Sequence, residues 1–136
     1  YSRTYEGEPA MKLESTAAYG KDALKLQPRV RGGILDTRFL LEEVYRRRDS
    51  LPVADLACSA QSYLARGLAE LATLAAERFE VETIGFSGGV AYNEEIALMM
   101  RRYVQERGFR FIMHDKVPPG DAGISFGQAI VAGWSF

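Results

Sequence analysis

Residues 85–95 read GFSGGVAYNEE, and Ser87, Gly88, Gly89, Val90 and Asn93 within them are residue types that could serve a phosphate or a nucleotide. Paired glycines at the end of an apolar run let the backbone turn with positive φ and leave no Cβ in a ligand's way. Asn93, followed by Glu94 and Glu95, is a helix start. Strand, glycine turn and helix N-terminus together offer backbone N–H groups to an anion. The same residues also make an ordinary tight strand-to-helix connection, and on this stretch alone both readings stand. Asp121, after Pro118-Pro119-Gly120, reads as the cap of a last helix. Glu6 and Glu8 could be a general acid and base, or could simply complement the dipole of the helix that follows them. His114, the sole histidine, cannot form a multi-histidine metal site and reads as a strand-end or surface residue. Cys58 lies on the apolar side of a long helical pattern and reads as a small buried residue, because burial keeps a thiol protonated.

The elements that must position these residues follow from periodicity. Pro9 in a first turn and Gly20 past the end bracket a short helix over Ala10–Ala18. Residues 23–35 alternate weakly, interrupted by Pro28 and Gly32-Gly33, and read as extended segments. Asp36 and Thr37 can cap a helix over 39–47. From Val53 to Phe79, Leu56, Ala60, Tyr63, Leu64, Leu68, Leu71, Leu74 and Ala75 recur at spacings of three and four, which predicts a long helix with one apolar face. Its small residues Ala57, Cys58, Ala60, Gly67 and Ala72 permit close packing. A strand over 81–86, a helix over 93–107 closed by Gly108, a strand over 109–113 and a helix after Asp121 complete the pattern. The β-α-β-α order predicts parallel strands, and ligands of such sheets lie at the strands' carboxyl ends, where both glycine turns fall.

Composition narrows the class. The chain has 136 residues, 47% hydrophobic, which is enough for one ordinary core, and it is read as a single domain over 1–136. With 17 basic and 18 acidic residues the net charge is −1, so no broad basic footprint points to nucleic acid or an anionic membrane. The clusters Arg46-Arg47-Arg48 and Arg101-Arg102 read as solvated helix ends. One cysteine allows no internal disulfide, no apolar run is long enough to span a membrane, and a reducing cytoplasm is the expected compartment. Without an initiator Met, and with Tyr1-Ser-Arg-Thr-Tyr reading as structured sequence, the chain is expected to be a piece of a larger protein.

Three stretches in order carry a resemblance. Arg3-Thr4-Tyr5-Glu6-Gly7-Glu8-Pro9-Ala10-Met11-Lys12-Leu13-Glu14, Ser87-Gly88-Gly89-Val90-Ala91-Tyr92-Asn93 and Val117-Pro118-Pro119-Gly120-Asp121-Ala122-Gly123-Ile124-Ser125-Phe126-Gly127-Gln128-Ala129 resemble the last part of the hydrogenase-maturation carbamoyltransferases, the HypF family. That family is in turn similar to the tRNA threonylcarbamoyl transferases. The resemblance implies an α/β fold, an RNase H-like lobe of the actin, sugar kinase and Hsp70-like class, with a mixed or parallel sheet flanked by helices. It implies an enzyme that uses carbamoyl phosphate and ATP, by way of a carbamoyl-adenylate, to carbamoylate the C-terminal cysteine of HypE. The carbamoyl group then becomes the cyanide ligand of nickel-iron hydrogenase.

For individual residues, the resemblance implies that Ser87, Gly88, Gly89 and Val90 approach the nucleotide, that Asn93 bonds its ribose or base, and that Gly7 and Glu8 sit near the sugar. It implies Asp121 as the carboxylate ligand of a divalent metal (Mg, Zn or Fe) that holds the phosphates, a role suited to a hard oxygen donor. Two histidines of another lobe, outside this sequence, are the other expected ligands, so the remaining domains of the polypeptide are expected partners and the piece is expected to be inactive alone. No catalytic residue is assigned. The family often has a second glycine after the aspartate where this chain has Ala122. Two other readings are a lobe of a tRNA threonylcarbamoyl transferase, from which Tyr5-Glu6-Gly7-Glu8 departs, and a non-catalytic module that docks the partner protein.

Overall fold

A computed structural model describes residues 4–134. The readings that rest on Tyr1, Ser2 and Arg3 lie outside the described residues. The chain forms two compact units, Tyr1–Leu71 and Ala72–Phe136.

In the first unit, α1 (Glu8–Ala17) has Pro9 in its first turn, where the missing N–H costs nothing. A two-stranded antiparallel hairpin follows, β1 (Val30–Arg31) and β2 (Ile34–Leu35), with Val30 opposite Leu35. Gly32 and Gly33, at φ 57° and 79°, form its two-residue turn. The sequence reading took these glycines as an interruption; positive φ at both central residues is what a tight hairpin with the natural strand twist requires. In α2 (Thr37–Arg47), the Asp36 carboxylate accepts the Phe39 N–H at 3.0 Å, the expected cap.

The long helix α3 (Val53–Arg78) is present as expected, but its buried face differs from the leucine stripe. Leu56, Ala57, Ser59, Gln61, Ser62, Tyr63, Ala65 and Ala69 are buried, whereas Leu68 and Leu74 are exposed. Small side chains decide this, because they let neighbouring backbone come close. A Cβ on Gly20 would run into the Ala54 carbonyl, and one on Gly67 would lie 2.5 Å from the Leu35 methyls. The buried hydroxyls of Ser59 and Ser62 on this face are paired. Ser59 Oγ donates to Asp55 O at 2.7 Å and accepts the Leu24 N–H at 3.1 Å, and Ser62 Oγ donates to Asp22 at 2.9 Å. Asp22 also takes Arg66 Nη2 at 2.8 Å. Cys58 is in no disulfide and is partly rather than fully buried.

In the second unit, β3 (Thr83–Phe86) and β4 (Arg110–Met113) pair in parallel, Ile84 opposite Phe111, and α4 (Glu94–Glu106) connects them. Ile84 and Phe111 are the buried positions of their strands. Ile96, Ala97, Met100 and Val104 of α4 are buried as well, at the spacing of one helix face. Gly108, at φ 84°, ends the helix in the left-handed conformation. The final helix, α5 (Ile124–Trp134), is apolar yet has no buried residue among those described.

Candidate functional site

The carboxyl ends of β3 and β4 form a rim. After Phe86 the chain enters Ser87 and Gly88, and Gly88 adopts φ 95°, a conformation strained for any residue with a Cβ. Gly89–Tyr92 then makes one 3₁₀ turn before Asn93, an element the sequence reading did not foresee. The Asn93 side-chain oxygen accepts the Ile96 N–H at 2.9 Å and caps α4. After β4, His114 leads into the segment that carries Pro119, Gly120 and Asp121.

The two loops are tied to each other. Gly88 N–H donates to Pro119 O at 2.8 Å, and Ser87 Oγ donates to the same carbonyl at 3.1 Å. Ser87 Oγ also lies 2.9 Å from His114 Nε2. The Tyr92 ring rests on Gly120, where a Cβ would come within 2.7 Å of Cε2. Ser87, Gly88, Gly89 and Val90 are exposed and Asn93 is half-buried, so the rim faces solvent. Gly89 differs from Gly88. Its φ is not left-handed and a Cβ on it would meet nothing within 4 Å, so neither backbone conformation nor packing among the described residues requires glycine there.

Asp121 departs from the expected helix cap. It does not cap the last helix: Gly120 precedes a 3₁₀ turn, Asp121–Gly123, and α5 begins only at Ile124. The turn is closed by Gly123 N–H to Gly120 O at 2.9 Å, and a Cβ on Gly123 would collide with the Pro118 carbonyl. Because the aspartate opens this extra turn instead of preceding the α-helix, no side chain caps the turn and the Asp121 carboxylate is exposed. Such a carboxylate fits a hard cation as one oxygen donor. Among the described residues no group of three or more His, Cys, Asp or Glu side chains is placed to hold a metal ion, so Asp121 can supply only part of a site.

The remaining predicted residues, Gly7 and Glu8, lie in the first unit. Gly7 is exposed and precedes α1. Glu8 is buried, and both its oxygens are engaged: Oε1 with Lys12 Nζ at 2.7 Å, Oε2 with Thr4 Oγ1 at 3.0 Å and with the Thr4 N–H. A ligand reaching this carboxylate would have to replace one of those partners. His114 is exposed directly after β4, as its strand-end or surface reading expects, and Tyr92 is a rim residue for which the sequence suggests no separate role. Their signal is positional: Tyr92 lies three residues past Gly89, and His114 directly follows β4.

The parallel β-α-β unit with its glycine rim defines an α/β lobe of the expected RNase H-like class. Residues 1–128 match the family described as carbamoyltransferase, Kae1-like domain, second subdomain, and the chain belongs to that family. It is 37% identical over 131 residues to the probable carbamoyltransferase HypF of Methanocaldococcus jannaschii, covering 96% of this chain and 17% of that protein. The crystal structure of T. kodakarensis HypF superposes with a TM-score of 0.88 at 41% identity, covering 99% of this chain and 18% of that one. The tRNA N6-adenosine threonylcarbamoyltransferase of Synechococcus sp. is 34% identical over 80 residues, 59% of this chain and 21% of that protein. The chain thus spans less than a fifth of the length of these two HypF proteins. No helix among the described residues is long and apolar enough to cross a membrane.

Proposed function

We propose that this chain is the C-terminal nucleotide-binding lobe of a HypF-type carbamoyltransferase, acting as one domain. The larger enzyme would use carbamoyl phosphate and ATP, by way of a carbamoyl-adenylate, to carbamoylate the C-terminal cysteine of a HypE-type partner for cyanide ligand synthesis in the cytoplasm. The observation that carries the nucleotide role is Gly89: a glycine that neither its backbone conformation nor its protein neighbours demand, exposed on a strand-end rim, leaves room for a ligand to lie against the chain.

The residues divide the work. Gly88 turns the backbone, and Gly89 and Val90 open the 3₁₀ turn, where N–H groups lack intrahelical acceptors and suit a phosphate or a ribose oxygen. Asn93 spends its oxygen on the cap and keeps its NH₂ as a donor to ribose or base. Asp121 would contribute one oxygen to a divalent cation, which when bound would neutralise charge on the phosphates. Gly7 and Glu8 would approach the sugar. The other groups would come from the rest of the polypeptide, so this piece alone transfers no carbamoyl group.

Substituting Asp121→Asn in the full polypeptide tests the metal role. Carbamoyl transfer should fall by at least about 10–100-fold, the loss typical even of an outer-shell metal partner. Stability should not change, because the carboxylate caps no helix. Unchanged transfer would remove Asp121 from the site.

The partial match to a tRNA threonylcarbamoyltransferase favours a second reading, a lobe that serves tRNA modification. Transfer of a threonylcarbamoyl group to tRNA by the full polypeptide, with none to a HypE-type protein, would establish it.

A further inference from the structure

The Ser87 hydroxyl has one proton and two neighbours. Both contacts are hydrogen bonds at once in one arrangement only, with the serine proton on Pro119 O at 3.1 Å, which can only accept. His114 Nε2, at 2.9 Å, must then carry the hydrogen of its own contact with Ser87 Oγ. The second lone pair of Pro119 O takes the Gly88 N–H at 2.8 Å, which fills that carbonyl. A continuous relay therefore runs from His114 at the end of β4, through Ser87 at the end of β3, to the carbonyl two residues before Asp121. The direction matters chemically: a ring nitrogen that donates to Ser87 cannot act as its base, so this pair is not an activated serine nucleophile.

We propose that His114 is a positioning residue, whose Nε2–H fixes the Ser87–Val90 turn against the Pro119–Asp121 loop and so sets the register between the two halves of the rim. The inference rests on the reading of that rim as nucleotide-facing. Besides this relay, the Gly88-to-Pro119 bond and the Tyr92 ring on Gly120 join the loops. Ser87 and His114 are both exposed, so the relay adds little to global stability, and its value lies in fixing loop geometry where small displacements weaken ligand contacts.

The test uses the full-length enzyme, with ATP plus a divalent metal as the probe, titration calorimetry for affinity, and thermal melting. His114→Ala should weaken ATP binding about tenfold, the effect of one lost hydrogen bond to a positioned group, and leave the melting temperature at the wild-type value. His114→Gln should restore most of the affinity, because its amide N–H reaches about where Nε2–H was. His114→Asn, whose amide is shorter, should restore less. The double variant Ser87→Ala/His114→Ala should be no weaker than Ser87→Ala alone, since removing the serine hydroxyl already cuts the His114 contact. Wild-type affinity in His114→Ala, while Asn93→Asp still loses binding, overturns this role and leaves the rim reading intact. Wild-type affinity in both variants overturns the rim reading and this proposal with it. A joint fall in melting temperature and affinity that Gln does not rescue makes His114 merely structural and also overturns the proposal.

Discussion

The Asn93 side chain meets the Ile96 N–H at 2.9 Å, and because an N–H can only donate, the atom facing it is the amide oxygen. Capping and ligand contact are therefore assigned to different atoms of one side chain. Asn93→Asp should cap α4 as well as asparagine does and leave stability unchanged, yet it removes the NH₂ donor and places a negative charge near the proposed phosphates. We expect ATP affinity of the full enzyme to drop by about tenfold or more, with the melting temperature held. Asn93→Ala should lose affinity and in addition about 1 kcal/mol of stability. Calorimetry paired with melting curves separates the two effects, and equal ATP affinity in Asn93→Asp and wild type would show that Asn93 is only a cap.

Gly20 tests whether close backbone approach, and not conformational freedom, explains a glycine. Its φ is not left-handed, but a Cβ there would collide with the Ala54 carbonyl of α3, which is backbone and cannot swing aside. Gly20→Ala should destabilise by about 1–3 kcal/mol, the usual cost of overpacking. Gly32→Ala, with nothing within 4 Å, should cost only the strain of a left-handed alanine, about 1–2 kcal/mol. Urea unfolding of the two variants compares these origins directly.

Tyr63 is wholly buried, and its hydroxyl closes the base of the hairpin by donating to Asp36 O at 2.8 Å and accepting the Arg29 N–H at 3.1 Å. Tyr63→Phe keeps the ring, including its tilted contact with Phe39 at 6.1 Å, but strands two backbone groups. A loss of about 1–3 kcal/mol is expected. Faster amide exchange at Arg29 should accompany it; unaltered exchange there would mean that the hydroxyl does not hold the hairpin.

Much of this was legible in the sequence. Helical spacing located α2, α3, α4 and α5, and the apolar runs before Ser87 and before His114 located the parallel pair. What could not be read was which face of α3 is buried, because hydrophobicity weights Leu68 and Leu74, whereas the packed face is chosen by the small residues that admit a neighbour. Gly32-Gly33 is a hairpin turn although Pro28 and the weak alternation around it make the pair look like an interruption. In the rim, the glycines and Asn93 stood out by type. The extra 3₁₀ turn that displaces Asp121 from the helix start depends on the close approach of Gly123 to Pro118 O, which no local propensity announces. The strand-end place of His114 was legible, but its contact with Ser87 was not, because that partner is distant in sequence and meets it through the strand pairing.

Hydrogen exchange read by mass spectrometry on the full-length enzyme, with and without ATP plus a divalent metal, tests the central claim most directly. A nucleotide-facing rim predicts slowed exchange in peptides spanning residues 87–93 and 119–123, with the hairpin at 30–35 unchanged. Bound nucleotide that protects other parts of the polypeptide and leaves both rim segments as they were would contradict it.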